Sequence, residues 1–194
     1  MFFFSVIESV VSSSATVNAG EEFILTCTHS PLDNGLVVSW TLNGGDPITE
    51  GVSPDGATKS LLTVNAATAQ HNGVYVCSVT FGDVGTLTGQ VTQYVRAIEG
   101  TVTQYALAGA ATHEITCDIY GDSLSAPTVW QFGETVLADD ADYDISTSSD
   151  TYVRSDVLTI NTLETSNTGT YQCSATYTDG SVATSKDISL TVYG

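Results

Sequence analysis

The chain has 194 residues, with 22 acidic side chains against four basic ones, and its formal net charge at pH 7 is −18. Four scattered cations cannot form the basic face that neutralises phosphates, so this balance excludes a nucleic-acid partner and disfavours direct contact with an anionic membrane surface. The charge favours solubility and cationic partners, Ca²⁺ among them. Hydrophobic residues make up 42% of the chain, which is enough to fill the cores of two domains of about 100 residues each.

Alternating apolar and polar residues predict β-strands throughout the first half of the chain. The side chains expected to face inward are Phe23, Leu25, Cys27, Val38, Trp40, Leu42, Leu62, Val64, Tyr75, Cys77 and Val79. Turn signals separate the strands, such as Asn43-Gly44-Gly45 and Pro54-Asp55-Gly56. Phe2, Phe3 and Phe4 either form an apolar first strand or, if exposed, favour a homodimer.

The second half repeats the pattern after a short junction. We predict a last strand of the first half at 88–95, a linker at 96–100, and domains at 1–97 and 98–194. The inward-facing set of the second half is Ile115, Cys117, Trp130, Phe132, Leu158, Ile160, Tyr171, Cys173 and Ala175. In both halves a tryptophan follows the first cysteine by thirteen residues, and a tyrosine lies two residues before the second cysteine. Two such coincidences indicate an internal repeat.

The four cysteines are Cys27, Cys77, Cys117 and Cys173. Four cysteines can pair in three ways, and the spacing alone leaves these open. No C-x-x-C pair is present to supply two zinc ligands from one turn. Disulfides form in oxidising compartments, so we expect a protein that is secreted or on the cell surface.

The Cys…Trp…Tyr-x-Cys pattern of each half resembles the immunoglobulin superfamily. The resemblance implies an all-β fold of two tandem immunoglobulin-like β-sandwiches, related to the I-set and C2-like sets, with the set of the first domain left open. It also implies disulfides Cys27–Cys77 and Cys117–Cys173. The side chains that would pin the two cores are Trp40, Trp130, Tyr75 and Tyr171.

The sequence offers no catalytic set. Its three histidines show no spacing typical of a Ser-His-Asp arrangement, and neither G-x-S-x-G nor H-E-x-x-H occurs. We therefore expect a non-enzymatic segment, and any kinase or other catalytic domain would lie outside it. No cofactor is expected apart from Ca²⁺.

Two hairpin loops are candidates for binding, because sandwich loops cluster at the domain ends and carry recognition. The first contributes Phe81 and Asp83, and the second contributes Tyr177 and Asp179. An exposed aromatic between adaptable polar residues is suited to anchor an interface, although an ordinary hairpin has the same composition.

A run of carboxylates is the candidate metal site. Asp140, Asp142 and Asp144 alternate, so in an extended strand they would share one face and could bind Ca²⁺. The alternative is a solvated loop and edge strand whose charges deter aggregation.

We expect the extracellular, ligand-recognition or cell-adhesion portion of a cell-surface receptor, which binds a protein ligand or a homophilic partner. In the immunoglobulin superfamily, which the chain resembles, tandem domains of this kind carry out such recognition. The resemblance and the composition together suggest a sponge receptor tyrosine kinase ectodomain as one candidate. Two alternatives remain: a soluble secreted effector of immune or carbohydrate-binding type, and a structural spacer.

Overall fold

The structure is a computed structural model that describes residues 6–31, 36–81, 85–100, 102–124, 127–184 and 187–194, without the side chains of Leu36 and Phe81. The predicted strand at Phe2–Phe4 lies outside these residues. The chain divides into two compact units, Met1–Arg96 and Ala97–Gly194, here called domain 1 and domain 2. This boundary lies one residue before the boundary predicted from the sequence.

Domain 1 is built from strands that alternate between two sheets. Its strands are β1 Ile7–Ser12, β2 Thr16–Asn18, β3 Phe23–His29, β4 Leu36–Leu42, β5 Pro47–Ile48, β6 Val52–Pro54, β7 Lys59–Val64, β8 Gly73–Phe81 and the first part of β9 Thr86–Gly100. A 3-10 helix, Ala69–His71, precedes β8. One sheet has the order β1-β3-β7-β6; in the other, β5, β4, β8 and β9 pair in turn and β2 adds to β9 in parallel.

The core of domain 1 lies between these sheets because the strands alternate as predicted. Phe23, Leu25 and Cys27 of β3 are fully buried, and so is Trp40 of β4. The disulfide Cys27–Cys77 joins the two sheets with a Cα–Cα distance of 6.3 Å.

Domain 2 repeats this architecture. Its strands are the end of β9, β10 Thr103–Leu107, β11 His113–Tyr120, β12 Val129–Phe132, β13 Thr135–Leu137, β14 Tyr143–Ser149, β15 Val153–Ile160, β16 Gly169–Thr176, β17 Val182–Thr184 and β18 Ile188–Tyr193. A 3-10 helix, Thr165–Asn167, precedes β16. One sheet runs β14-β15-β11-β9 and the other β10-β18-β16-β12-β13, with β10 parallel to β18. Cys117–Cys173 joins them beside the fully buried Trp130.

The predicted linker at 96–100 is wrong. Ala97–Gly100 continue strand β9 and pair antiparallel with Cys117–Tyr120 of β11, so that Ile98 lies opposite Ile119. Ile98 packs against the core of domain 2. Partial burial of this apolar side chain, together with the strand pairing, explains why the segment is a strand and not a linker. Within the described residues, no helix has the length and hydropathy required to cross a bilayer.

Candidate binding surface

The tyrosines placed before the second cysteines close the turn that leads into the last core strands. The Tyr75 hydroxyl donates to the backbone oxygen of His71 at 3.2 Å, and the Tyr171 hydroxyl donates to that of Asn167 at 3.0 Å. Each acceptor residue also caps its 3-10 helix: His71 Nδ1 accepts from the Thr68 N–H at 2.9 Å, and Asn167 Oδ1 accepts from the Glu164 N–H at 2.7 Å. Neutral hydrogen bonds therefore hold both corners.

Domain 2 contains a buried charged network that the sequence analysis missed. Asp156 is 1% exposed and accepts hydrogen bonds from the Thr128 and Thr147 hydroxyls and from Arg154 Nε, the last at 2.8 Å. A buried charge is tolerated when a partner and hydrogen bonds compensate its lost hydration. The alternation of Asp156 with Leu158 and Ile160 was the signal that its carboxylate would point inward.

The second predicted binding loop does not present the expected aromatic anchor. Tyr177 is only 1% exposed, and its hydroxyl donates to the backbone oxygen of Tyr120 at 2.9 Å. It is a core residue, so its prediction as an interface anchor is wrong. Asp179 accepts from the N–H and hydroxyl of Ser181 and stabilises the turn. Asp83 and the Phe81 side chain lie outside the described part of the chain.

The three aspartates proposed for Ca²⁺ do not share a strand face. Strand β14 begins at Tyr143, so only Asp144 lies in a strand. Asp140 folds back on its own turn, where its Oδ1 accepts from the N–H groups of Asp142 and Tyr143 at 2.8 and 2.9 Å. Competition from these local hydrogen bonds explains why the extended arrangement fails. Across the described residues, no group of three or more carboxylate, imidazole or thiolate side chains is arranged to hold a metal ion.

The histidines are engaged in structural contacts. His29 is buried and its Nδ1 lies 2.8 Å from the backbone oxygen of Ser30, while His113 Nε2 lies 2.6 Å from Gln104 Oε1. Burial lowers the pKa of His113, and the nearby Glu114 carboxylate opposes this shift.

A groove of about 520 Å³ in domain 1 is lined by Leu42, Leu62 and the helix cap His71. His71 Nδ1 lies 2.9 Å from both the N–H and the hydroxyl of Thr68, so the ring serves the helix cap beside this groove.

The most unusual surface is the outward side of strands β4, β8 and β9 in domain 1. Side chains here alternate with the buried ones of the same strands, and the register places them in rows across the sheet. Over the stretch where the three strands pair, we call this surface the neutral face: Val37, Ser39, Thr41, Val74, Val76, Ser78, Thr80, Thr86, Thr88, Gln90 and Thr92. None of these side chains is charged, although the chain carries 22 acidic residues. Beyond the neutral face, Tyr94 and Arg96 continue the outward row of β9.

The sequence analysis did not identify the neutral face. The signal was available, because these residues are the ones that alternate with Trp40, Tyr75 and Cys77. By contrast, the outward side of the β14-β15-β11-β9 sheet of domain 2 is acidic. There Glu99 lies directly opposite Asp118, and Glu114 and Asp144 flank Thr159.

Comparison with known families agrees with this architecture. An immunoglobulin domain model matches residues 6–80, and an immunoglobulin I-set domain model matches residues 97–192. The chain is a tandem of two immunoglobulin domains. The predicted fold class is therefore confirmed, with the I-set assigned to domain 2. Immunoglobulin domains are not catalytic, and this segment consists of them.

Solved structures share the immunoglobulin fold at low identity. Titin A168169 is 18% identical, with coverage of 98% of this chain and 99% of that chain and a TM-score of 0.57. The Dpr2 Ig1-Ig2 structure, in complex with DIP-Theta Ig1-Ig3, is 17% identical, with coverage of 98% of this chain and 64% of that chain and a TM-score of 0.57. Identities this low show the fold alone. No curated protein matches the chain at a significant level.

Proposed function

We propose that this chain is the ligand-recognition or cell-adhesion portion of a cell-surface receptor, and that it acts by binding another protein without catalysis. The neutral face of domain 1 is the observation that carries the proposal. The fully buried centre of a protein interface is depleted of charged residues, because each buried charge must be desolvated. A charge-free sheet face on a chain of net charge −18 has the composition that such a centre requires.

The chemistry of the neutral face suits a protein ligand. Its central row joins Ser39 of β4, Ser78 of β8 and Thr88 of β9. These hydroxyls both donate and accept, so they can satisfy polar groups of a partner at the contact. The valines that border the row, such as Val37 at 61% exposure, add apolar area.

An extracellular location is part of the proposal. Each domain carries an intradomain disulfide, and disulfides persist in oxidising surroundings outside the cell. In the Dpr2 structure, immunoglobulin domains are in complex with those of DIP-Theta, so the fold is compatible with recognition of another protein.

The test uses the chain joined artificially into a tetramer, which strengthens weak binding by avidity. This probe is screened against an array of extracellular proteins from the same organism, and the chain itself is one member of the array. Ser78→Lys places a charge in the central row, whereas Thr26→Lys places one on the outward side of β3 in the opposite sheet. Both positions are half-buried on a central strand, which makes the pair a matched control. We expect Ser78→Lys to weaken binding at least about tenfold and Thr26→Lys to leave it nearly unchanged.

Two results would overturn the proposal. If no member of the array binds, recognition fails and the chain acts as a structural spacer. If a partner binds equally to the wild type and to Ser78→Lys, recognition uses another surface.

A further inference from the structure

Strand β10 is an exposed sheet edge in domain 2. It lies at the end of the order β10-β18-β16-β12-β13 and pairs only with β18 among the described strands. Its outward side chains Tyr105 and Leu107 are 67% and 69% exposed. The Tyr105 ring stacks on the ring of Tyr193, which is itself 54% exposed, with centroids 6.3 Å apart.

The backbone of β10 has hydrogen-bonding groups that point away from the domain. The Ser189 N–H donates to Val102 O at 2.9 Å, and the Ala108 N–H donates to Tyr193 O at 2.7 Å. In a β-ladder, successive residues direct their N–H and C=O groups to opposite sides. The even-numbered residues of β10 therefore face β18, while the backbone groups of Thr103, Tyr105 and Leu107 face the free edge.

This edge lacks the protection that other edge strands of the chain carry. Natural proteins discourage edge pairing with charges, prolines or very short strands. The edge strand β1 contains Glu8, β14 contains Asp144, and β6 contains Pro54. The five residues of β10, Thr-Gln-Tyr-Ala-Leu, include neither a charge nor a proline.

We propose that β10 is a self-association site at which a second copy of this chain pairs its own β10 in antiparallel orientation about Tyr105. Thr103 then lies opposite Leu107 of the other copy, and Tyr105 lies opposite itself. The residues of each such pair exchange two N–H···O=C bonds, because their free backbone groups face one another. The resulting two-fold interface is self-complementary.

The side chains favour a second copy as the occupant. Two chains of net charge −18 repel one another, so a contact between copies costs least where it brings no carboxylates together, and β10 contains none. In this register no charged residue of β10 opposes another. The two Tyr105 rings form a cross-strand aromatic pair, and each is already stacked on a Tyr193 ring.

A cysteine trap in the full chain tests the register. In a hydrogen-bonded antiparallel pair the Cα atoms are about 5.5 Å apart, which a disulfide can span. Tyr105→Cys should therefore form a disulfide-linked dimer under mild oxidation. Thr103→Cys is the matched control on the same strand: two such cysteines would lie about 14 Å apart, so we expect no link.

A proline variant tests the backbone contact without disturbing the domain. Tyr105→Pro removes an N–H that faces the free edge, whereas Ala106→Pro removes one that faces β18. Light scattering up to about 1 mM protein, where even weak association is visible, should show a dimer for wild type and a monomer for Tyr105→Pro at an unchanged melting temperature. Ala106→Pro should instead lower that temperature.

The site on β10 is overturned if the wild type stays monomeric over this range. It is also overturned if Tyr105→Pro dimerises like wild type, or if Tyr105→Cys and Thr103→Cys cross-link equally. The neutral face is tested separately, since Ser78→Lys should leave cross-linking at position 105 unchanged.

Discussion

The indole N–H of Trp40 donates a hydrogen bond of 3.1 Å to the hydroxyl of Ser60, deep in the core of domain 1. Ser60 lies opposite Cys27 in the strand register, and the residue opposite Cys117 in domain 2 is Asp156. The Asp156 carboxylate is occupied by threonine hydroxyls and Arg154, and the Trp130 indole N–H has no hydrogen-bond partner in the described part of the chain. The two tryptophans at equivalent positions therefore differ: the Trp40 indole N–H is hydrogen-bonded in the core, and the Trp130 indole N–H is held by packing alone within the described residues.

Ser60→Ala should lower the free energy of unfolding of domain 1 by about 1–3 kcal/mol, because it leaves the buried Trp40 N–H without an acceptor. Urea denaturation measures the change. Ser53→Ala, on the exposed neighbouring strand β6, is the control and should have little effect. Equal stability of the Ser60→Ala variant and wild type would show that water reaches the indole.

Asp156→Ala should destabilise domain 2 by about 3–5 kcal/mol, since it leaves the Arg154 guanidinium, 17% exposed, without its carboxylate. Thermal unfolding should show the domain 2 transition moving to lower temperature while that of domain 1 stays in place. Asp156→Asn keeps one acceptor oxygen, so one of the two threonine hydroxyls can retain its bond, and this variant should be less costly than Asp156→Ala. A smaller loss for Asp156→Ala than for Ser60→Ala would contradict this account of the network.

Tyr75 should make domain 1 sensitive to alkali. Burial raises the pKa of Tyr75 from 10.0 to about 12, so above pH 10 the unfolded chain releases this proton more readily than the folded one. Stability is therefore full below pH 10 and falls as the pH rises toward 12. Tyr75→Phe should flatten this decline, at a cost of about 1 kcal/mol at neutral pH from the lost bond to His71 O. Urea midpoints measured from pH 8 to 12 test both effects, and an unchanged slope in Tyr75→Phe would refute the assignment.

His113 should contribute to instability in mild acid. Because burial lowers its pKa below 6.5, the unfolded chain takes up the proton first as the pH falls. This contribution to stability is present above pH 6.5 and is lost below it. His113→Gln should reduce the slope of stability against pH between 7 and 5. An unchanged slope in His113→Gln would argue against a specific role of His113.

The sequence was sufficient to predict the fold because the side chains of each strand in a sandwich alternate between the core and the outer face, with a period of two residues. Phe23, Leu25 and Cys27 alternate with polar or exposed positions, and the structure buries all three. The same rule, applied one step beyond Ala175, would have placed Tyr177 inside. The hairpin composition after it led instead to the prediction of an exposed loop.

The candidate sites were less predictable because they depend on contacts between distant segments. The alternation of Asp140, Asp142 and Asp144 suggested a strand, but the Asp140 side chain bonds to its own backbone and forms a turn. The free edge of β10 depends on its parallel pairing with β18, more than 80 residues later in the chain, and no local pattern reports that register.

The pairing of Glu99 with Asp118 makes the stability of domain 2 depend on the salt concentration of the solvent. Two carboxylates directly opposite each other across a sheet repel, and dissolved ions weaken that repulsion as the Debye length shrinks from about 10 Å at 0.1 M to about 3 Å at 1 M. The melting temperature of domain 2 should rise with sodium chloride, and Glu99→Gln should remove part of that rise. This strand pair is therefore better suited to concentrated brine than to fresh water.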